Sequence, residues 1–437
     1  MASSVALFDL AGILLVLPAP LIALLDSSLV DSTRNLLVYD CGLFAYACWL
    51  AIVVLSTWPR WLDRLIGLPA LYFVHGAVGI LALALASTHV LLAFSMHPVI
   101  SNTGHIAWYL AIFGAVYAVL FLSGWLVDRS AVALKLKRWL ERVFHHQLSV
   151  WIHRLNLVVI ALIFLHVHVI PRISVLTPFM LTFDAYTLLA ALAYAWSKFV
   201  TPASERRSGR VLENLAVEPR VRQITFELGP QAPDPHPGDF YFVSFPATTG
   251  LSAEAHPFSL TNASEGSTPE GGKASRAAIF TIQTTGDYTR QLKKVQAGDQ
   301  ARLEGPFGRF DSEISSYPST EPLVFIGMGT GLSPLMSLAL HYGSKRSIHL
   351  LWSVREGEES MFERQLQELA DVNPQISVDF RHHRFSPEDY RKLLTQTELM
   401  HALFVVVGQA VVVVQTERIL HQLGVEHSRL VDERLTM

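Results

Sequence analysis

Cysteine is nearly absent from this chain: two residues, Cys41 and Cys48, in 437. Seven residues apart in an apolar stretch, they fall on one helical face as small packing residues, so a disulfide scaffold or a cysteine-rich metal fold is excluded. Charge is also scarce, at 16% of residues, and it is balanced, with a net charge of −3. That balance gives no electrostatic reason to expect nucleic acid as a partner. No Lys or Arg precedes the first apolar run. Residues 1 to 25 therefore read as a transmembrane helix and not as a secretory signal.

The scarcity is uneven. Residues 1 to about 200 are mostly apolar, whereas charge, Gly and Pro concentrate afterwards. Six stretches are apolar over the roughly 20 residues that a membrane crossing needs: about 5–25, 39–57, 70–95, 106–126, 152–170 and 180–199. A length of 437 predicts two or three domains, here a membrane half followed by a soluble half. Positive residues set the orientation. Arg60 and Arg64, then Arg129, Lys135, Lys137, Arg138 and Arg142, then Lys198, Arg206, Arg207 and Arg210 fall on one side, against Arg34 and Arg172 on the other. Both termini and the soluble half are expected in the cytoplasm, with the chain a multi-pass protein of the cell (inner) membrane.

Four histidines interrupt the apolar runs as two long-spaced pairs, His75/His89 and His153/His166. At 1.5 Å of rise per residue the members of each pair lie about 20 Å apart along a helix, most of a hydrocarbon core about 30 Å thick. Ionisable side chains inside a membrane helix mark function, and histidine ligates heme iron without adding charge. Two helices so equipped clamp two bis-histidine hemes, one near each face. On a helical wheel His89 returns to within about 40° of His75, whereas His166 lies about 140° from His153 and His168 only about 60°. A supercoiled 3.5-residue period makes His166 and His168 nearly equal candidates. His97, His105, His145 and His146 read as ordinary interfacial or solvated histidines.

From about residue 208 short alternating strands broken by Gly and Pro suggest a small antiparallel barrel, as in 221–226 and 240–245. His256-Pro257-Phe258-Ser259 follows, then Gly286-Asp287-Tyr288-Thr289-Arg290, then Glu304-Gly305-Pro306-Phe307-Gly308. Residues 262–277, rich in Ser, Gly and Glu, read as a surface loop. At 323 the pattern becomes strand, glycine turn, helix: Leu323 to Ile326, then Gly327-Met328-Gly329-Thr330-Gly331-Leu332-Ser333-Pro334. Such glycines let a pyrophosphate approach the positive end of a helix. Strands and helices then alternate through 348–354, 359–370, 376–380, 387–394, 403–407 and 411–423, as in a doubly wound α/β lobe. Ser353 and Arg355 end the second strand, where a guanidinium can pair with a 2′-phosphate.

The histidine spacings of fourteen and thirteen, the latter opening His153-Arg154-Leu155, resemble the ferric reductase and NADPH oxidase superfamily of transmembrane flavocytochromes b. His256 to Ser259 is similar to the flavin signature of ferredoxin-reductase-like barrels, and the Thr330-Gly331 to Pro334 turn to their nicotinamide lobe. The resemblance implies three domains: a six-helix transmembrane heme bundle over 1–203, an antiparallel β-barrel FAD domain over 204–318 and a doubly wound α/β NAD(P)H domain over 319–437. It implies His75, His89, His153 and His166 as heme ligands, which favours His166 over His168. FAD would be held by His256, Pro257, Phe258, Ser259, Gly286, Tyr288, Thr289, Gly305 and Gly308, with the Ser259 hydroxyl near the reactive flavin nitrogen. NAD(P)H would be held by Gly327, Gly329, Thr330, Gly331, Pro334, Ser353, Arg355 and Gly408, with NADPH preferred over NADH although Glu356, Glu358 and Glu359 pull the other way.

The implied activity carries electrons from NAD(P)H through FAD and two b hemes to a small external acceptor. Dioxygen giving superoxide leads, with a ferric chelate as the alternative and a protein partner served by a membrane electron-transfer subunit as the third. No obligatory protein partner is expected, and Arg172, just past helix five, is placed to stabilise superoxide or a heme propionate. Two positions depart from the family. Val407-Gly408-Gln409 stands where relatives carry Cys-Gly-Pro, and Leu435 stands where an aromatic ring often covers the flavin.

Overall fold

The computed structural model describes residues 2–30, 35–57, 60–121, 151–200, 207–229, 232–262, 277–356 and 362–435. The positive cluster from Arg129 to Arg142, together with Arg34, Arg206, His145, His146, Glu358, Glu359 and most of the 262–277 loop, lies outside the described residues. Two compact units are defined. One comprises residues 1–59 and 70–200, the other 60–69 and 201–437.

Among the described residues six helical spans are long and apolar enough to cross a membrane: Asp9–Leu29, Leu36–Leu55, Ala70–Leu92, Pro98–Phe121, Trp151–His168 and Thr177–Val200. Leu36–Leu55 is 56% buried while the others are 11–22% buried, so it forms the middle of this unit and the rest turn apolar faces outward. Phe73 and Leu91 are among those outward side chains, as expected where lipid replaces water. The expected first helix is divided, into Ala2–Val16 and Ala19–Leu29. Pro18 and Pro20 cause the break, because a proline lacks the N–H that an interior turn would use.

The fifth span departs from a uniform helix too. Leu155 N–H donates to the Ile152 carbonyl (3.0 Å), Leu157 to Arg154 (2.9 Å) and Val158 to Leu155 (2.9 Å), three residues back each time, where the chain enters the helix Asn156–His168. Such tight turns rotate the chain by about 120° per residue in place of about 100°. The wheel angle between His153 and His166, worked out for an unbroken helix, is rephased accordingly.

The second unit contains two sheets. The first is antiparallel, with strands β1 (Arg207–Glu218), β2 (Val221–Glu227), β3 (Phe240–Ser244), β4 (His256–Ser259), β5 (Ala277–Gln283) and β6 (Gln300–Phe307) in the order β4-β3-β6-β1-β2-β5. Its ladders leave β4 and β5 as edges, bridged just beyond β4 by Thr261 N–H to the Ile279 carbonyl (2.9 Å); the expected closed barrel is thus described as a six-stranded sheet. Phe226, Tyr241, Phe245 and Phe280 fill its core.

The second sheet is parallel: β7 (Leu323–Met328), β8 (Ile348–Ser353), β9 (Ile376–Arg381), β10 (Leu403–Gln409) and β11 (Leu430–Leu435), in the order β11-β10-β7-β8-β9. β7, β8 and β10 are apolar along nearly their whole length because separate cores cover both faces. The chain proceeds from β7 to one side and returns to the other, so a topological switch point lies between β7 and β10. The helix after β8, expected over 359–370, is described over Glu363–Val372, residues 357–361 lying outside the described residues, and a further short helix, Gln396–His401, precedes β10.

Arg346, 6% exposed, ties the approach to β7 together. Its guanidinium donates to the carbonyls of Pro318 (2.7 Å), Glu321 (2.6 Å) and Ile314 (3.2 Å). Arg346→Met leaves three carbonyls without that donor. It should cost about 3 kcal/mol of stability, read as a lower denaturant midpoint with unchanged slope; a loss under about 0.5 kcal/mol would contradict this role.

Candidate functional site

In the helical unit the four histidines meet in two pairs. The ring centres of His75 and His153 are 5.9 Å apart, and those of His89 and His166 are 6.4 Å apart. An iron bonded at roughly 2 Å to one nitrogen of each imidazole puts the ring centres about 6 Å apart. His89 Nδ1 donates to the Val38 carbonyl (2.7 Å), and His166 Nδ1 to the Ile100 carbonyl (3.1 Å), with Thr103 Oγ1 also at 3.1 Å. Each of these bonds fixes the tautomer whose Nε2 lone pair is available to a metal. His153 Nδ1 is buried without a hydrogen-bond partner among the described residues. Glycines make room for the second pair. A Cβ on Gly42 would meet the His89 ring at 3.1 Å, and one on Gly104 would meet the His166 ring at 3.2 Å.

His168, the alternative left open by the wheel, has other contacts. Its Nδ1 donates to the Phe164 carbonyl (2.9 Å) and its Nε2 lies 3.2 Å from Asp184 Oδ1. His166, not His168, stands opposite His89. Arg172 reaches the same end of the unit: it donates to the Tyr39 hydroxyl (2.5 Å) and lies over the Tyr39 ring, which meets His89 edge-on at 6.3 Å.

The antiparallel sheet brings the three expected flavin motifs together. Ser259 pairs with Phe240 across β4 and β3, and Phe240 with Phe307 across β3 and β6. The 256–259 strand and the 304–308 turn thus flank one strand. His256 stacks on Tyr288 with ring centres 3.7 Å apart, which joins the first motif to the Gly286–Thr289 turn. There Gly286 N–H donates to Thr289 Oγ1 (3.0 Å). The Tyr288 hydroxyl is buried with no hydrogen-bond partner among the described residues, and burial pushes its pKa up to about 12, so it stays a neutral donor. Pro257 is exposed, and Phe258 and Ser259 are half-buried. Gly305 and Gly308 have φ of +148° and +135°, and a Cβ on either would meet Tyr241 or Asp239 at 2.9 Å.

The glycine turn of the parallel sheet lies at the switch point. Gly329 has φ +59°, a Cβ on Gly331 would strike the Val407 carbonyl, and one on Gly408 would meet Met328 at 2.7 Å. Two crossing backbones therefore approach as closely as glycine allows. Gly327 and Pro334 are buried in packing, Thr330 is half-buried, Ser353 is buried at the end of β8, and Arg355 is exposed two residues on.

Sequence reasoning missed a charged clamp in the second unit. Arg60 and Arg64 had counted only as positive loop residues. Arg64 grips Asp239 with both terminal nitrogens (2.7 Å each) and also donates to the Gly308 carbonyl (2.7 Å). Asp63 accepts the N–H of Gly308 (3.1 Å) and of Leu68 (2.8 Å). Both carboxylates are 1% exposed. The adjacent Asp63 and Arg64 were its only sequence trace. Burial pushes Asp239 up to about 6 against the pull of Arg64. Burial, then the charges of Asp63, Asp239 and Asp432, pushes Glu433 on β11 up to about 8.

No family model matches the chain. Human cytochrome b5 reductase 4 is 28% identical over 107 residues, 23% of this chain and 20% of that protein. The reductase component of propane 2-monooxygenase from Rhodococcus jostii (strain RHA1) is 32% identical over 78 residues, 17% of this chain and 20% of that protein. The chain thus spans about a fifth of the length of the curated relatives it matches. Among solved structures, the flavohem-like FAD/NAD-binding domain of nitric oxide dioxygenase from Vibrio cholerae O1 biovar El Tor aligns at a TM-score of 0.45 and 18% identity, covering 53% of this chain and 99% of that one.

A carboxyl group whose folded pKa is raised favours folding while protonated and loses that contribution as pH climbs to the folded value. Stability of the second unit should therefore fall between about pH 4.5 and about pH 8, and Glu433→Gln should flatten that fall. Denaturant midpoints of the full chain at the two ends of the window read it. Parallel profiles for the variant and the parent would refute the assignment.

Proposed function

We propose that the chain is a transmembrane oxidoreductase of the flavocytochrome type, taking electrons from NAD(P)H in its second unit and delivering them across the membrane to a small acceptor. The observation that carries this reading is the double imidazole pairing inside apolar helices. Among the described residues no group of three or more His, Cys, Asp or Glu converges as a metal site. Two imidazoles are the donor set of an iron whose other four ligands come from a porphyrin. His75 with His153, and His89 with His166, would hold b hemes. When bound, FAD and heme supply the change from hydride chemistry to single-electron transfer, and the protein supplies ligation and placement.

For the flavin, the residues present fit. The buried Tyr288 hydroxyl offers a donor, and Ser259 sits on an edge strand. For the nucleotide, the support is the glycine crossing at the switch point between β7 and β10, the place where open α/β sheets bind ligands. The reductase relatives agree in kind. NADPH is preferred on the strength of Arg355. The outer acceptor is dioxygen, and Arg172 beside Tyr39 places a cation near the His89 and His166 pair, where an anionic product or a heme propionate is stabilised. Ferric-chelate reduction is the second reading, and service to a protein partner the third. Both termini are assigned to the cytoplasm.

Two experiments test the assignment. Purified chain given NADPH should generate superoxide without added partner. Ferrous iron without superoxide would transfer the reading to a ferric reductase, and neither product would leave the partner-serving subunit. Among ligands, His166→Ala should lose one low-spin heme signal while His168→Ala keeps both; the reverse pattern would overturn the choice of His166.

A further inference from the structure

Ser337 lies in the helix Leu332–Tyr342, which follows the glycine turn of the parallel sheet, and it is 0% exposed. A serine inside a helix commonly bonds its hydroxyl back to a carbonyl of the preceding turn. This one bonds outside its helix. The Ser337 hydroxyl donates to the Asn262 carbonyl (2.6 Å) and accepts the Gly238 N–H (3.1 Å), partners 75 and 99 residues away in the chain.

Both partners are themselves held. Asn262 Oδ1 accepts the Ile279 N–H (3.0 Å) and its Nδ2 donates to the Ala277 carbonyl (3.0 Å), while Leu260 N–H donates to the Asp239 carbonyl (2.8 Å). Gly238 approaches the helix closely: its φ is +79°, and a Cβ there would meet Leu338 and Phe310 at 3.2 Å. Ser337, Gly238, Asp239, Leu260 and Asn262 thus close a ring of bonds between the two sheets of the second unit.

That ring touches both halves of the expected redox site. Leu260 is one residue beyond Ser259 of the flavin motif, and Ser337 stands roughly 9 Å along the helix from Gly331 of the glycine turn. Hydride transfer breaks a C–H bond of the dihydronicotinamide and forms an N–H bond on the flavin, both electrons moving with the hydrogen, so that nicotinamide is oxidised and flavin reduced. About 1 Å of misplacement can cost about a hundredfold in such a step. Apolar packing, as of Phe310 with Leu335 and Leu338, resists separation of the sheets but is non-directional. Hydrogen bonds are directional, and these fix the angle.

We propose that Ser337 is a positioning residue for hydride transfer: by bonding the glycine-turn helix to Gly238 and Asn262 it sets the approach of nicotinamide to flavin. This rests on the reading that the second unit binds FAD and a nicotinamide nucleotide. The Ser337 hydroxyl is occupied by protein partners, so it acts through the helix it holds.

The test is anaerobic stopped flow on the purified full chain carrying its cofactors, reading first-turnover oxidation of NADPH. Ser337→Ala should slow that step at least about tenfold while leaving the half-saturating NADPH concentration unchanged. Two readouts need no turnover. The long-wavelength charge-transfer absorbance of reduced flavin with NADP+ should weaken in the variant, and amide hydrogen exchange at Gly238 should quicken in chain without added nucleotide. Ser337→Cys, similar in shape with a weak donor and acceptor, should fall between, and it decides the matter if the alanine variant does not fold. Oxidation of NADPH at the parental rate would overturn the proposal. So would a slowing matched by an equal loss of NADPH binding, which reports a damaged nucleotide site. A parent that carries FAD and does not oxidise NADPH would remove the nucleotide reading and this proposal with it.

Discussion

Two imidazole rings with centres about 6 Å apart, repeated at a second level of the helical unit, form the constraint around which that unit is organised. Holding polar rings among apolar helices is costly unless each ring nitrogen finds a partner. The helices meet this demand on one side through the Val38 and Ile100 carbonyls. The Nε2 of each of these rings is thereby left as the nitrogen with a lone pair. Glycine at 42 and 104 follows from the same demand, because a methyl group there would crowd the ring.

Much of the fold was legible because its periods are strong. Six long apolar runs predict six helices long and apolar enough to cross a membrane, and alternating strands give way to buried parallel strands at residue 323 through a change of pattern. The histidine pairs were legible too, from depth alone. What the sequence could not yield was phase. The shortened turns between Ile152 and Val158 change the rotation between His153 and His166, and no propensity scale marks them. The contact of His168 with Asp184 is likewise a tertiary matter, made between two separate helices.

The second unit shows the same division between local and long-range information. Glycine-rich turns announce themselves, since only glycine tolerates such close backbone approach. Charged pairs remote in sequence do not. Arg64 and Asp239 are 175 residues apart, and each alone resembles an ordinary loop charge. Together with Asp63 they fix the backbone at Gly308, next to Phe307, which flanks Phe240 from the side opposite Ser259.

The central claim is that each imidazole pair holds one heme. Heme extracted from purified chain as its pyridine complex, divided by protein from quantitative amino-acid analysis, tests it most directly. The account predicts two hemes per chain, both low-spin in the dithionite-reduced spectrum. A purified, folded chain that binds a single heme, or none when heme is supplied, would contradict it.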